Sequence, residues 1–235
     1  MADTHPIIFI SGANRGIGYE LARQMSTQSY QVIAGYRQQS QSGNLLNEAQ
    51  NKENLIPFQV DITSENALET LYQTIADQFG HLDILVNNAG VNFKRNVHLN
   101  ALDWSDMVDH FNTNIGGAFL TTKTLHPLIK AGHHKKIINI SSRLGSIALS
   151  DEGSVPYRMS KSGLNALTKQ QAIAYQAEEI TVISLSPGWV RTDMGGDSAP
   201  LSVQESATKI IERLDRVSLS ESGQFIDLDG QTIPY

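Results

Sequence analysis

The chain runs to 235 residues and 25.8 kDa with 40% hydrophobic and 18% charged residues, a mix that excludes fibrous and disordered classes and gives one domain over residues 1–235 enough apolar surface for a full core. Its formal charge of −6 disfavours nucleic acid as a partner, and no apolar run approaches the roughly 18 residues of a membrane helix, so no membrane partner is expected. Cysteine is absent, which excludes disulfides, thiolate metal sites and a cysteine nucleophile and suits a cytoplasmic location.

The opening stretch Met1–Pro6 has neither a basic nor a long apolar region and does not read as a signal peptide. Ile7–Ile10 is a short β-rich run. Glycines punctuate the chain from Gly12 to Gly18, and Ile17, Leu21, Ala22 and Met25 recur at helical spacing, so the period switches from strand to helix. Further strands are predicted at Val32–Ala34, Leu55–Val60, Ile84–Val86, Ile137–Ile140, Val182–Leu185 and Gly223–Ile226. Between them, Thr63 or Ser64 can cap a helix with the apolar face Leu68, Leu71, Ile75 and Phe79. Asn100 can cap a long helix running from Asp103 towards Ile129, and another helix runs from about Pro156 to about Glu178. Ser202 and Glu205 form a capping box. This alternation predicts an α/β fold, a Rossmann-type doubly wound domain whose seven-stranded parallel sheet lies between helices. Ligands of such sheets bind at the carboxyl ends of the strands.

The first candidate site is the loop carrying Gly12, Asn14, Arg15, Gly16, Ile17 and Gly18. Glycines there permit a tight turn and the approach of backbone N–H groups to a pyrophosphate, which the helix N-terminus then favours electrostatically. An NAD enzyme usually carries a carboxylate at the end of the second strand for the ribose hydroxyl. Here the sequence reads Ala34–Arg37 with no carboxylate, so Arg15 and Arg37 are candidates to hold a 2′-phosphate. NADP(H) is the expected cofactor, with two solvated surface arginines as the alternative. The second candidate is Tyr157 with Lys161, four residues apart and so on one helical face. Ser141 and Ser142 end the fifth strand, and Asn114 lies in the long helix before it. An ammonium near a phenol lowers the tyrosine pKa and makes it a usable acid or base.

Taken in order, these stretches resemble the short-chain dehydrogenase/reductase family over the whole chain. The resemblance rests on Ser11–Gly18, Asp61, Asn87–Gly90, Asn114 in Asn114–Phe119, Ser142 in Asn139–Ser142, Tyr157–Lys161 and Pro187–Thr192. Ser141–Ile147, Pro187–Gly196 and Asp229–Tyr235 are also similar to the Sniffer-like carbonyl reductases and C-factor proteins. The resemblance implies that Tyr157 is the general acid, that Ser142 bonds the substrate carbonyl oxygen, that Lys161 binds the nicotinamide ribose and lowers the Tyr157 pKa, and that Asn114 holds a relay water. It places the adenine at Asp61 and neighbouring Ile62, its ribose at Asn88, Ala89 and Gly90, and the nicotinamide side at Pro187, Gly188, Val190 and Thr192. It also implies a small carbonyl substrate (aldehyde, ketone or quinone) and a homodimer or homotetramer built through the helices bearing Asn114 and Tyr157. Ser11 replaces the commoner threonine and keeps the hydroxyl.

Two other functions fit the same fold. One is a dinucleotide-binding regulatory or signalling protein with little or no turnover. The other is a ketoacyl-thioester reductase, against which the −6 charge argues, since an acyl carrier wants a basic patch. His133 and His134 read as a solvated loop, and His81, His98, His110 and His126 share no ligand spacing, so no metal is expected. No G-x-S-x-G elbow surrounds Ser142, which argues against acyl transfer. Trp189 reads equally as pocket wall or packing, and Trp104 as helix packing. Asp193–Leu201 is too short for a large lid, which suggests an open pocket, with Asp151–Ser154 shaping one wall.

Overall fold

In the computed structural model, which describes residues 5–235, the strands are β1 (Ile7–Ile10), β2 (Gln31–Tyr36), β3 (Leu55–Gln59), β4 (Ile84–Asn87), β5 (Lys136–Ile140), β6 (Thr181–Leu185) and β7 (Phe225–Ile226). Residues 1–4, the start of the stretch read as lacking a signal peptide, lie outside the described residues. All strands run parallel in the order β3-β2-β1-β4-β5-β6-β7. The chain steps outward from β1 to β3 and then returns to place β4 on the other side of β1, so the order reverses at the β1/β4 boundary. That reversal opens a crevice at the carboxyl ends of the strands.

Side chains alternate across the sheet, and each strand therefore feeds two cores. Ile8 and Ile10 join the core under α1 (Gly16–Met25), α2 (Gly43–Ala49) and α7 (Val203–Arg216), through residues such as Leu21, Leu45 and Ile210. Ile7 and Phe9 join the core under α3 (Glu65–Phe79), α5 (Gly117–Ala131) and α6 (Val155–Ala174), through Leu71, Leu125 and Ala172. Burial on both faces explains why the strands read as near-continuous apolar runs.

Several boundaries differ from the sequence expectation. The helix expected from Asp103 to Ile129 is broken into α4 (Trp104–Phe111), a π-helical turn over Asn112–Gly116, and α5. Asp103 caps α4 through a box with Asp106, whereas Asn100 sits in a 3-10 turn over Leu99–Ala101. α6 stops at Ala174, and Gln176–Glu178 is a separate 3-10 turn. α2 went unforeseen because it is short, buries Leu45 alone and has no side-chain cap. Trp104 is not packed: it is 80% exposed. As expected, Ser64 caps α3 by accepting from the Ala67 N–H, and Ser202 and Glu205 form the box that starts α7.

Both edges of the sheet are irregular. β3 carries Pro57 at its centre, which only an edge strand tolerates because the missing N–H would point away from the sheet. β7 is two residues long. No helix among the described residues is long and apolar enough to cross a membrane.

Candidate active site

Backbone geometry builds the cleft first. Gly12 and Gly16 have φ of +66° and +56°, in the left-handed region that favours glycine. A Cβ on Gly12 would lie 2.8 Å from Ala89 Cα, and one on Gly18 would lie 2.4 Å from both Asn88 Nδ2 and Gly12 O. The loop after β1 thus touches the loop after β4 directly. Hydrogen bonds lock the two together. Ser11 Oγ accepts from the N–H groups of Asn88 (3.0 Å) and Ala89 (3.1 Å), and Asn88 Nδ2 donates to Ser11 O (2.9 Å) and Gly12 O (3.1 Å). The hydroxyl of Ser11 is what this bracket needs.

The resulting cleft encloses about 730 Å³ at the carboxyl ends of the strands. Its walls bring together all the residues expected from the sequence, with one exception. Gly12, Asn14, Arg15, Gly16, Ile17 and Gly18 line it, as do Arg37, Asp61, Ile62, Asn88, Ala89 and Gly90. Ser142, Tyr157, Lys161, Pro187, Gly188, Val190 and Thr192 complete the set. Asn114 is the exception: it lies just behind the wall, 1% exposed.

A dinucleotide fits this cradle. α1 begins at the cleft with no side-chain cap and no acidic residue in its first turn, so its N–H groups are left for an anion. Asp61 Oδ1 is occupied by the N–H and hydroxyl of Thr63 (2.9 and 2.7 Å), which fixes the carboxylate and leaves Oδ2 for a ligand. Arg37 is exposed beside the end of β2, with no carboxylate on that strand. Arg15 does more than the sequence suggested. Its Nη1 forms an exposed ion pair with Asp193, from the segment after β6.

The inner end of the cleft is buried. Tyr157 and Lys161 are 7% and 4% exposed, with Lys161 Nζ 5.7 Å from the centre of the Tyr157 ring. Pro156 sits in the first turn of α6, where the sequence implied a helix start, and the helical spacing puts both side chains on the cleft face. Lys161 Nζ donates to Ile140 O at 2.7 Å and has no carboxylate partner among the described residues. Burial therefore pulls the ammonium down to about 8. The same burial pushes the Tyr157 phenol up to about 12, against opposing pulls from the Ser142 side chain and the Arg95 guanidinium. Expected from the sequence to be lowered by Lys161, the phenol is on balance raised. Desolvation of the phenol outweighs the Ser142 hydrogen bond and the Arg95 charge, and the tyrosine stays protonated at neutral pH.

Asn114 sits in the π-helical turn, a geometry concentrated at functional sites. Both ends of its side chain are tied down. Oδ1 accepts from Val91 N–H (2.7 Å), while Nδ2 donates to Val91 O (2.9 Å) and Ser160 Oγ (2.8 Å). A Cβ on Gly90 would lie 3.2 Å from Asn114 Oδ1 and 3.5 Å from Lys161 Nζ, so that glycine keeps the gap between them open. Nearby, Gly188 has φ +80° and Val190 is buried against Leu201. Trp189 resolves as cleft wall: it is half exposed, and Nε1 donates to Gly195 O at 2.8 Å.

Sequence reasoning missed Arg95 and Asn92, both in the loop after β4 and both lining the cleft. Among the described residues Asn92 Oδ1 is buried with no partner, an acceptor available to a ligand hydroxyl or amide. The signal for Arg95 was its place just beyond Asn87–Gly90, at the catalytic edge. His133 and His134 lie in the loop expected, and their N–H groups donate to Asp83 (2.7 and 3.3 Å).

The family model for short chain dehydrogenases matches residues 6–200. The chain belongs to the short-chain dehydrogenase family. Among solved structures, it is similar to the carbonyl reductase Sniffer of D. melanogaster, at 31% identity and a TM-score of 0.91, covering 99% of this chain and 100% of that one. An NADPH-bound carbonyl reductase from chicken fatty liver gives 28% identity and a TM-score of 0.90, covering 99% of both chains. The C-signal of Myxococcus xanthus is 34% identical over 157 residues, which is 66% of this chain and 94% of that protein. These likenesses bear out the Rossmann-type fold and agree with the kinship to Sniffer-like and C-factor proteins read from the sequence.

Proposed function

We propose that this short-chain dehydrogenase is an NADPH-dependent carbonyl reductase acting on aldehydes, ketones or quinones, with residues 1–235 working as one domain. The observation that carries the reading is the buried pair Tyr157 and Lys161, with the half-buried Ser142 beside them, at the inner end of a cleft lined by the glycine loop. When bound, the reduced nicotinamide supplies a hydride to the carbonyl carbon. The chain's own residues do the rest. Tyr157, protonated at neutral pH, donates its hydroxyl proton to the carbonyl oxygen. Ser142 donates a hydrogen bond to the same oxygen and orients it. Lys161 presents its ammonium to ribose hydroxyls, and Asn114 holds the Val91 backbone and the helix below it in place for a water leading to Lys161.

Support for NADP(H) over NAD comes from Arg37 beside a β2 end with no carboxylate, from Arg15 in the glycine loop, and from the NADPH bound to the chicken relative. The test is NADPH oxidation against a panel of aldehydes, ketones and quinones, beside Tyr157→Phe. Turnover abolished in the variant supports the reading, and no turnover of any carbonyl by the wild type overturns it. Arg37→Ala should weaken NADPH chiefly, and equal binding of NADPH and NADH by the wild type overturns the cofactor choice.

The likeness to C-signal supports a second reading, a dinucleotide-binding signalling protein with little turnover. Cofactor binding without redox activity across the panel would favour it. A homodimer or homotetramer goes with the first reading, and so does a cytoplasmic location. Phe111 and Phe119 on α4 and α5, with Met159 on α6, expose apolar surface on the helices flanking Asn114 and Tyr157. Light scattering of the purified protein tests this, and a monomer at micromolar concentration refutes it.

A further inference from the structure

The cleft is charged oppositely to the chain. Its walls hold five cationic side chains (Arg15, Arg37, Arg95, Lys161 and Arg191) and two carboxylates, Asp61 and Asp193, in a chain of net charge −6. Most of the cations have a role already. Arg37 stands by the end of β2, Arg15 is paired with Asp193, and Lys161 stands behind Tyr157. Arg191 Nη1 is turned away, donating to Ala199 O and Pro200 O at 2.9 Å each. Arg95 is left over. Among the described residues its guanidinium pairs with no carboxylate, and its side chain makes one hydrogen bond, from Nη2 to the backbone oxygen of Asp193 at 3.0 Å.

Its place relative to the catalytic tyrosine is fixed by the backbone. The Arg95 carbonyl accepts the Ser154 N–H at 2.8 Å. Gly153 has φ +81°, and a Cβ there would stand 3.1 Å from that same carbonyl. Ser154 immediately precedes α6, which carries Tyr157. The loop after β4 is thus bolted to the head of the helix that presents the proton donor. The guanidinium is also near enough to act on the Tyr157 hydroxyl electrostatically. A guanidinium is a planar fork of N–H donors matched to a carboxylate, and here most of that fork is unused.

We infer that Arg95 is a specificity-determining residue: it receives an anionic group, in the simplest case a carboxylate, carried by the carbonyl compound whose oxygen lies at Tyr157. The inference rests on the reductase reading above. The cofactor pyrophosphate is the other source of anionic oxygen in the cleft, and the experiment separates the two.

Wild type, Arg95→Leu and Arg95→Lys are assayed with NADPH on two matched pairs, phenylglyoxylate with its methyl ester and acetoacetate with its methyl ester. The wild type should favour at least one acid over its ester in kcat/KM by about tenfold or more, and Arg95→Leu should cut that ratio by about ten- to a hundredfold, with Arg95→Lys between. A wild-type ratio near or below one for both pairs, or a ratio the same in Arg95→Leu, overturns the inference. Calorimetric titration of the two acids into the NADPH-loaded protein reads the contact without turnover. Binding weakened about tenfold in Arg95→Leu supports the site, while equal binding or none overturns it. If no carbonyl is reduced at all, the reductase reading fails and calorimetry still decides the anion site. Loss of NADPH affinity in Arg95→Leu with an unchanged acid-to-ester ratio assigns the residue to the cofactor and overturns the inference.

Discussion

At the amino ends of the strands, Asp83 is 1% exposed yet its carboxyl is held below the usual carboxylate range. Burial alone would raise it, but Oδ2 accepts from Ile7 N–H at 2.8 Å, Oδ1 accepts from His133 and His134 N–H, and His81 Nε2 lies 3.3 Å away. At the carboxyl ends, Tyr157 and Lys161 are about as deeply buried and both are pushed towards their neutral forms, the phenol up and the ammonium down. The two edges bury polar groups to similar depth, and what differs is the number of partners. A charge met by several N–H donors becomes a structural tie, joining β1, β4 and the loop before β5. A pair given few partners retains unused hydrogen-bonding capacity, which substrate and cofactor can take up.

That contrast can be broken from either side. The largest effect is expected from Tyr157→Phe, which should lower kcat by about 10²–10⁴-fold, the range for removal of a general acid. Its melting temperature should stay close to that of the wild type; a large drop would mean that the catalytic edge is also a structural tie. Asp83→Ala should do the reverse. It strands three backbone N–H groups and should cost on the order of 2–4 kcal/mol in denaturant unfolding, with kcat per folded molecule unchanged. Gly18→Ala tests the join between the two loops. The added Cβ meets Asn88 and Gly12 at 2.4 Å, so stability should fall by about 1–3 kcal/mol and NADPH binding should weaken with it.

The smallest effects are in pH. Because the Asp83 pKa is lower folded than unfolded, its stabilisation is present above about 3.8 and is lost as pH falls through the folded value. Acid unfolding followed by circular dichroism should therefore show a limb that Asp83→Asn flattens. For Lys161 the folded value of about 8 lies below the ordinary 10.5, so the unfolded chain holds the proton more tightly and stability rises with pH across that window. The ammonium itself is lost above about 8, so the reduction rate at saturating NADPH should decline there. Lys161→Arg should remove that decline if the variant turns over, since a guanidinium does not titrate in this range.

Most of the candidate site was legible because its residues lie in contiguous motifs placed just after strands. Ser11–Gly18 and Tyr157–Lys161 each declare a turn or a helical spacing within a few residues. The pairings across the cleft were not legible. Arg15 with Asp193, and Arg95 with the Asp193 carbonyl and Ser154, join loops far apart in sequence, and no local pattern marks them. The direction of the Tyr157 shift was hidden for a related reason: spacing shows that Lys161 is near, but the depth of burial depends on the whole fold. The break at Asn112–Gly116 was hidden because its residues continue an apolar period that α4 and α5 share. The Asp83 tie was equally silent, since its partners are backbone N–H groups that any residue supplies.

Pro57 in β3 and the two-residue β7 have a consequence for the protein in a crowded solution. A parallel sheet with a long regular edge invites a strand from another molecule to add to it and grow into an aggregate. Here one outer strand lacks a donor at its midpoint, and the other offers too short a ladder to nucleate on. The sheet is closed to extension by strand addition at both ends.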